Sequence, residues 1–308
     1  MGKGEISVIV NPTAAGGAVG HEWPDLRSHL LARGLRFRDV FTEAPGHATQ
    51  LALEAVHQGC QIVVAVGGDG TVNEVVNGLC NGNGLVPATQ LAIVSRGTGC
   101  DLVRTLGLGD VRRTISALTE RETTRTIDVG EILMERDGRT ERRLFLNAAG
   151  LGFDGEVVEG LLRSRVTGRR IGGTVPYLLE VVQSIMHYDN KRVRATLDGD
   201  RMEGLFTSFF ACNGRYFAGG MKVAPQADMS DGLFDVVILH ALSRLGLLAR
   251  LPTVYFGWHT VFRQIEIRRA RELKVESEDH ILIQADGELV GTVPATLRVI
   301  PKALKVRV

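Results

Sequence analysis

The chain has 308 residues, 36 Lys and Arg against 35 Asp and Glu, a formal net charge of +1 and 44% hydrophobic residues. That length supports a sizeable core divided over two domains, and the balanced charge excludes wholesale nucleic-acid binding. The four cysteines, Cys60, Cys80, Cys100 and Cys212, show no C-x-x-C pair or metal spacing, as expected for free thiols in a reducing compartment, three of them small buried hydrophobes.

In chain order, Ile6–Val10 reads as a strand, followed by the loop Asn11-Pro12-Thr13-Ala14-Ala15-Gly16-Gly17, where backbone and small polar groups dominate. Residues 26–32 look helical and 36–41 extended, with Thr42 directly after. His47–His57 places Leu51, Ala52, Ala55 and Val56 on one helical face and stops at Gly59; both histidines read as surface or capping residues. Ile62–Val66 is continuously apolar, as a strand covered on both faces should be, and Val72, Val75, Val76 and Leu79 recur at helical spacing.

Between these two lies Gly67-Gly68-Asp69-Gly70-Thr71. Glycines free to take positive φ, followed by the unpaired N–H groups and positive dipole end of a helix, read as a phosphate seat. Asp69 would repel phosphates unless a divalent cation or a cationic partner lay between them, so Mg²⁺ is implied with a nucleotide. An ordinary strand-to-helix turn with Asp69 as N-cap accounts for the same spacing. No Walker A motif occurs, and Asn73 stands where a dinucleotide fingerprint needs its third glycine.

Leu91–Val94 is another strand, leading into Ser95-Arg96-Gly97-Thr98-Gly99-Cys100-Asp101. Alternation of strand and helix up to about Leu118 predicts a doubly wound parallel sheet, with three glycine loops at strand C-termini around one crevice. From Thr126 the period changes to two: Ile127–Ile132, Asp137-Gly138 and Leu144–Leu146 read as a hairpin, and Lys191–Leu197, Asp198-Gly199 and Phe206–Ala211 repeat it. The fold class expected is α/β, with a nucleotide-binding domain over 1–127 and a β-sandwich-like domain with helical insertions over 128–308, the return of the tail to the first domain being left open. One insertion carries an apolar stripe at Val175, Leu178, Leu179, Val182, Ile185 and Met186 behind Arg163, Arg165, Arg169 and Arg170. Such a pairing suits a core-facing helix after a solvated loop, or a helix lying on anionic headgroups. Leu242–Trp258, the second, can wall an acyl-chain pocket or cover the sheet.

Gly67-Gly68-Asp69-Gly70-Thr71-Val72-Asn73-Glu74-Val75-Val76-Asn77-Gly78 resembles the G-G-D-G-T-x-N-E-V-x-N-G signature of the diacylglycerol kinase catalytic-domain family, which includes bacterial soluble lipid kinases, sphingosine kinases and ceramide kinases. NAD kinases and phosphofructokinases look similar at the glycines, and the Asn73-Glu74 continuation points to the lipid kinases. Asn11–Gly16 resembles N-P-x-[SA]-G. Ser95–Asp101 resembles P-x-G-T-x-N-D, departing at Ser95 and Cys100. Residues 224–234 resemble A-P-x-A-x-x-x-D-G-x-F, and Asp286-Gly287-Glu288 resembles x-x-D-G-E.

The resemblance implies ATP held at Asn11, Thr13, Thr42, Gly67, Gly68, Asp69, Gly70, Thr71, Val72, Asn73 and Thr98. It implies that Asp69, Asp101 and Asp128 organise a catalytic Mg²⁺ through water, and that Asp231, with the carbonyls of Asp228 and Leu233, holds a structural Mg²⁺. Glu288 is implied as the base, with Asp286 as neighbour and alternative, and Asp69 as a catalytic group. The activity implied is ATP- and Mg²⁺-dependent phosphorylation of a lipid hydroxyl, diacylglycerol first and a sphingoid base or ceramide second. NAD-kinase-like phosphorylation of a soluble nucleotide and a non-catalytic nucleotide or lipid sensor are the rivals, the sensor suggested by Ser95 and Cys100. The partners implied are a lipid alcohol and, transiently, a membrane surface, with no nucleic acid and a homodimer as an option. Residues 1–10 lack a leader-like pattern, and the apolar stretches near 171–179 and 251–262 are too short to span a bilayer. The location expected is therefore cytoplasmic and peripheral to the membrane.

Overall fold

The computed structural model describes residues 5–80, 88–96, 99–108, 118, 124–136, 138–166 and 174–308, the side chains of 164–166 and 174–178 excepted. Contacts divide the chain into two units, Met1–Val129 with Ile300–Val308, and Gly130–Val299.

The first unit runs β1 (Ile6–Val10), α1 (Ala18–Ala32), β2 (Arg38–Phe41), α2 (His47–His57), β3 (Ile62–Gly67), α3 (Asp69–Leu79), β4 (Gln90–Ser95) and α4 (Asp101–Leu106). The four strands are parallel in the order β4-β3-β1-β2. The end of the chain joins this sheet, Val306 pairing in parallel with Leu91. Every residue of β3 is buried, which is what its unbroken apolar run requires. Because β1 connects outward to β2 and the chain then crosses back to β3, the C-terminal ends of β1 and β3 form the switch point where such sheets receive ligands. Helix α1 begins eight residues before the expected start and runs through Pro24. Burial of Val19 and Trp23 in the core outweighs the break that a proline signals.

Helices α2 and α3 meet without clearance. A Cβ at Gly78 would lie 2.3 Å from the Thr49 carbonyl oxygen and 2.7 Å from Ala52 Cβ. Glu74 Oε2 accepts the Ala48 N–H at 3.1 Å in the first turn of α2, and Thr49 Oγ1 donates to the Glu74 carbonyl at 2.9 Å. The second half of the glycine-rich signature is thus packing and capping chemistry.

The second unit contains most of β5 (Thr124–Arg136), then β6 (Arg139–Phe145), β7 (Ala148–Gly152), α5 (Phe153–Val166), α6 (Thr174–His187), β8 (Lys191–Leu197), β9 (Asp200–Cys212), β10 (Phe234–His240), α7 (Arg244–Val254), β11 (Ile265–Ala270), β12 (Glu272–Glu276), β13 (Leu282–Ala285), β14 (Glu288–Thr292) and the start of β15 (Ala295–Arg307). Its strands pair antiparallel. The long β9 joins two groups, pairing through Asp200–Phe206 with β8 and through Ser208–Cys212 with β7 and β10. Phe145, Phe209, Phe234, Leu273, Ile283 and Leu297 are sealed inside. The Asp198-Gly199 and Asp286-Gly287 turns between paired strands have positive φ at both residues, the form that matches strand twist.

The apolar stripe on α6 is divided: Ile185 is buried and Val182 half-buried, Leu179 and Met186 are exposed, and the buried Val181 lies outside the expected stripe. Among the arginines before it, Arg163 pairs with Glu159 at 3.0 Å. Arg169, Arg170 and the side chain of Arg165 lie outside the described residues. Among the described residues no helix is long and apolar enough to cross a membrane.

Gly78→Ala is expected to cost about 1–3 kcal/mol from overpacking, less the ~1 kcal/mol that alanine gains in a helix. Urea unfolding should show a clear net loss; an equal or higher midpoint would contradict the close α2–α3 contact.

Candidate active site

The first unit gathers its loops at the switch point through short polar ties. Asn11 N donates to the Val66 carbonyl at 2.9 Å, Thr42 N to the Val10 carbonyl at 2.9 Å and Arg96 N to the Gly67 carbonyl at 2.8 Å. Asn11 Nδ2 donates to Thr71 Oγ1 at 2.9 Å, while Asn11 Oδ1 accepts from Thr13 N and Oγ1. Positive φ is not where the sequence suggests. Gly68 is extended, with φ −88°, and neither Gly67 nor Gly70 is left-handed; the left-handed run is Ala15-Gly16-Gly17 after β1. Gly67 is needed for clearance instead, since a Cβ there would stand 2.5 Å from Thr71 Oγ1. Val72 and Asn73 are buried in α3, the Val72 N–H is spent on the Gly68 carbonyl, and Asn77 Nδ2 donates to Asn73 Oδ1 at 3.0 Å. Both side chains are thus packed inside this unit.

Asp69 is the first residue of α3, with Gly68 as the N-cap. Its carboxylate turns to α4, where Asp101 N lies 3.3 Å from Oδ2. Burial raises its pKa above the usual carboxylate range, and the Asp101, Leu102 and Cys100 N–H groups and the Arg104 guanidinium pull it back. A Cβ at Gly99 would sit 2.6 Å from Asp69 Oδ2 and 3.8 Å from Asp101 Oδ2, so both carboxylates border the space this glycine leaves open. Asp101 is buried and paired with Arg104 at 2.8 Å. Two carboxylates beside a helix N-terminus, with water completing the shell, fit Mg²⁺ bound to nucleotide phosphates. Asp128, fully buried, accepts the Lys302 N–H at 2.6 Å and so ties the returning end of the chain to this unit. Among the described residues no three His, Cys, Asp or Glu side chains form a direct metal cage. Thr98 lies outside the described residues.

In the second unit Asp286 is engaged structurally. Its carboxylate accepts the N–H groups of Leu146 at 2.7 Å, Asn147 at 2.8 Å and Ala148 at 3.2 Å. Asp198 does the same at the other Asp-Gly turn, accepting from Arg271 N and Glu272 N. Glu288, partly exposed, is held by Arg143 at 2.5 Å. The Asp231 carboxylate pairs with Arg269 and accepts the Leu233 N–H, while the Asp228 carboxylate accepts from Ser230 N and Oγ. Arg269 thus occupies the Asp231 carboxylate, while the carbonyls of Asp228 and Leu233, the other two ligands that the resemblance implies, take no part in these contacts.

The second unit also encloses a cavity of about 100 Å³, walled by Val157, Val181, Ile185, Phe210, Leu251 and other apolar residues, with Asp154 and His259 among its lining. Asp154 Oδ1 accepts from Ser208 Oγ at 2.7 Å and Oδ2 from Gln284 Nε2 at 2.9 Å, and Gln284 Oε1 in turn accepts the Gly287 N–H. Burial pushes the Asp154 carboxyl up to about 6, opposed by these hydrogen bonds. A Cβ at Gly150 would lie 1.5 Å from Asp154 Oδ2, so β7 must carry glycine there. His259 is buried, its Nε2 2.9 Å from the Val223 carbonyl oxygen and its Nδ1 without a partner among the described residues.

Residues 5–132 match the model of the diacylglycerol kinase catalytic domain and residues 149–308 that of the YegS C-terminal NAD kinase beta sandwich-like domain. The chain is 30% identical over 310 residues to a Bacillus subtilis protein named "Putative lipid kinase YtlR", covering 97% of this chain and 98% of that one. The chain belongs to the diacylglycerol kinase family of lipid kinases. It is 29% identical to a diacylglycerol kinase of Mycobacterium tuberculosis, over 98% of this chain and 94% of that protein. In fold it matches a Bacillus anthracis structure titled as a putative diacylglycerol kinase, with TM-score 0.76, 22% identity, and 98% and 96% of the two chains covered. These kinase relatives support a lipid kinase.

Against the family pattern, Cys100 occupies a left-handed position, φ 52°, which asparagine tolerates better than cysteine; Ser95 Oγ lies 2.9 Å from its sulfur. Residue-by-residue reading of the sequence passed over Asp154 and Gln284, because a lone acid at the start of a helix and a glutamine in a strand carry no spacing signal. The small-residue run Ala148-Ala149-Gly150, which makes room for Asp154, was the trace available.

Two measurements check this geometry. Cys100→Asn should raise the thermal midpoint by a few degrees, relieving about 1 kcal/mol of backbone strain; no gain would contradict it. Asp154 holds its proton more tightly folded than unfolded, so its contribution is greatest below about pH 4 and lost as pH rises toward 6. The stability of the wild type relative to Asp154→Asn should therefore fall by on the order of 3 kcal/mol across that interval; a flat difference would contradict the burial.

Proposed function

We propose that the protein transfers the γ-phosphoryl group of ATP, with Mg²⁺, to the hydroxyl of a lipid alcohol, diacylglycerol being the first candidate. The observation that carries this reading is the Asp69 carboxylate, placed at the α3 N-terminus beside Asp101 and the space over Gly99. Bound there, Mg²⁺ would neutralise charge on the phosphates and on the moving phosphoryl group.

The chain's own groups have separable roles. The α3 N-terminus and the Asn11–Gly17 loop offer main-chain N–H groups to phosphate oxygens, and Asn11 and Thr71 lock those loops together. Asp69 and Asp101 would hold the Mg²⁺ through water. Glu288 takes the proton of the acceptor hydroxyl, and because Arg143 shares its oxygen, its main service is to orient the alcohol. Asp286, spent on three backbone N–H groups, positions the turn rather than acting as the base. The apolar cavity accepts hydrocarbon of the acceptor.

A sphingoid base is a second reading, favoured by Asp154: a carboxyl beside an apolar chain pocket suits a cationic amine head. A panel assay with labelled ATP and diacylglycerol, sphingosine, ceramide or NAD separates the possibilities. Product with diacylglycerol supports the reading, product with sphingosine alone moves it to the second, and product with NAD alone, or none at all, overturns it.

Asp69→Ala should lower turnover by about a hundredfold or more with the fold intact; full activity would remove the metal role. Glu288→Gln should lower kcat by roughly 10–100-fold with little change in KM for ATP; unchanged kinetics would contradict its assignment.

A further inference from the structure

The turn after α7 and the 3-10 helix that follows it, Trp258–Val261, expose Phe256, Trp258 and Val261 at 63%, 64% and 76%. The Phe256 and Trp258 rings stack on each other, centroids 4.9 Å apart, with neither covered by the fold. Aromatic rings left in water gain nothing for the folded chain, and contiguous exposed apolar surface marks an interaction site.

The support beneath them is rigid. Gly257 takes φ 72° with Pro225 packed so close that a Cβ would lie 2.8 Å from it, and the buried His259 fixes the turn to the Val223 carbonyl. The two rings are therefore held outward.

The segment that carries this tip holds cations and no acid. Residues 241–265 contain Arg244, Arg250 and Arg263 and no Asp or Glu. Arg244 is paired with Asp189, the Arg250 guanidinium lies 4.7 Å from the Phe262 ring centroid, and Lys222 flanks Gly257. Arg263 is exposed. An apolar aromatic tip on a segment that carries arginines and no acid complements a bilayer interface carrying anionic headgroups, where tryptophan prefers to sit. The same helix reaches the cavity through Leu247, Leu251 and Val254, so the exposed tip and the cavity wall are continuous along α7.

From these observations we infer that Phe256, Trp258 and Val261, with Arg250, Arg263 and Lys222, form the surface by which the protein inserts into the headgroup layer of anionic phospholipid membranes. The inference rests on the reading that its acceptor is a lipid. These residues lie on α7 and the turns after it, not on the α6 stripe for which the sequence pattern left a core-facing helix and a membrane contact both open.

Tryptophan fluorescence and co-sedimentation with vesicles test it. Of the two tryptophans, Trp23 is buried, so a change on adding vesicles reports Trp258. Vesicles of phosphatidylcholine mixed with phosphatidylglycerol should shift the emission to the blue and pellet the protein, and phosphatidylcholine alone should do so weakly. The double variant Phe256→Ser with Trp258→Ser should bind the mixed vesicles about tenfold less, and Arg263→Glu should weaken binding severalfold. Both should keep wild-type thermal midpoints and phosphorylate a short-chain acceptor dispersed below its micelle concentration as the wild type does. Equal vesicle binding by the double variant, or equal binding to phosphatidylcholine alone, would overturn the inference. So would loss of self-association in sedimentation with vesicle binding untouched, which would make the tip a contact between copies of the chain. Vesicle binding that depends on the tip, in a protein phosphorylating no lipid alcohol, would uphold the surface and overturn only the kinase reading.

Discussion

The structure of the first unit turns on one carboxylate held by backbone. Asp69 leaves the end of β3 in a segment without side-chain bulk, and its charge, instead of capping its own helix, is received by N–H groups at the start of α4. Three features follow from that contact. Gly99 must lack a side chain, Cys100 must adopt a left-handed conformation so that α4 points its first N–H groups at Asp69, and Asp101 is brought to the same space. A half-buried carboxylate kept in place by N–H donors is preorganised; it needs no rearrangement before meeting a cation. That is why the glycine-rich loops, which individually look like ordinary turns, work together.

The second unit uses carboxylates differently. Asp198 and Asp286 occupy equivalent positions in two hairpin turns and clamp a neighbouring strand or loop through its N–H groups. Asp154 sits within an apolar wall and is joined through Gln284 to the turn that precedes Glu288. Whatever fills the cavity beside Asp154 is therefore one side chain removed from the Asp-Gly-Glu turn. Asp231 and Arg269 form an internal ion pair where the resemblance implied a metal.

Much of this was legible in the chain. Strand β3 announced itself by an unbroken apolar run, α2 by its stripe and its closing glycine, and the hairpin of β8 and β9 by Asp198-Gly199. The loops at Asn11, Gly67 and Ser95 do lie at the C-terminal ends of parallel strands. What was not legible depended on distance in space. Spacing cannot tell that Gly67 and Gly78 serve close approach rather than positive φ, that Glu74 caps another helix, or that Asp128 binds the backbone of Lys302. Helical periodicity on α6 found an apolar stripe but not which of its residues face solvent, because that depends on a partner surface the pattern does not encode.

The central claim is that Asp69, seated by the α4 backbone, makes nucleotide binding depend on a divalent cation. Isothermal titration of ATP into the wild type and into Asp69→Ala, each with Mg²⁺ and with EDTA, tests it most directly. The account predicts ATP binding by the wild type that is lost with EDTA and in the variant, both proteins remaining folded. ATP binding of equal strength in all four titrations, or none by the wild type with Mg²⁺, would contradict it.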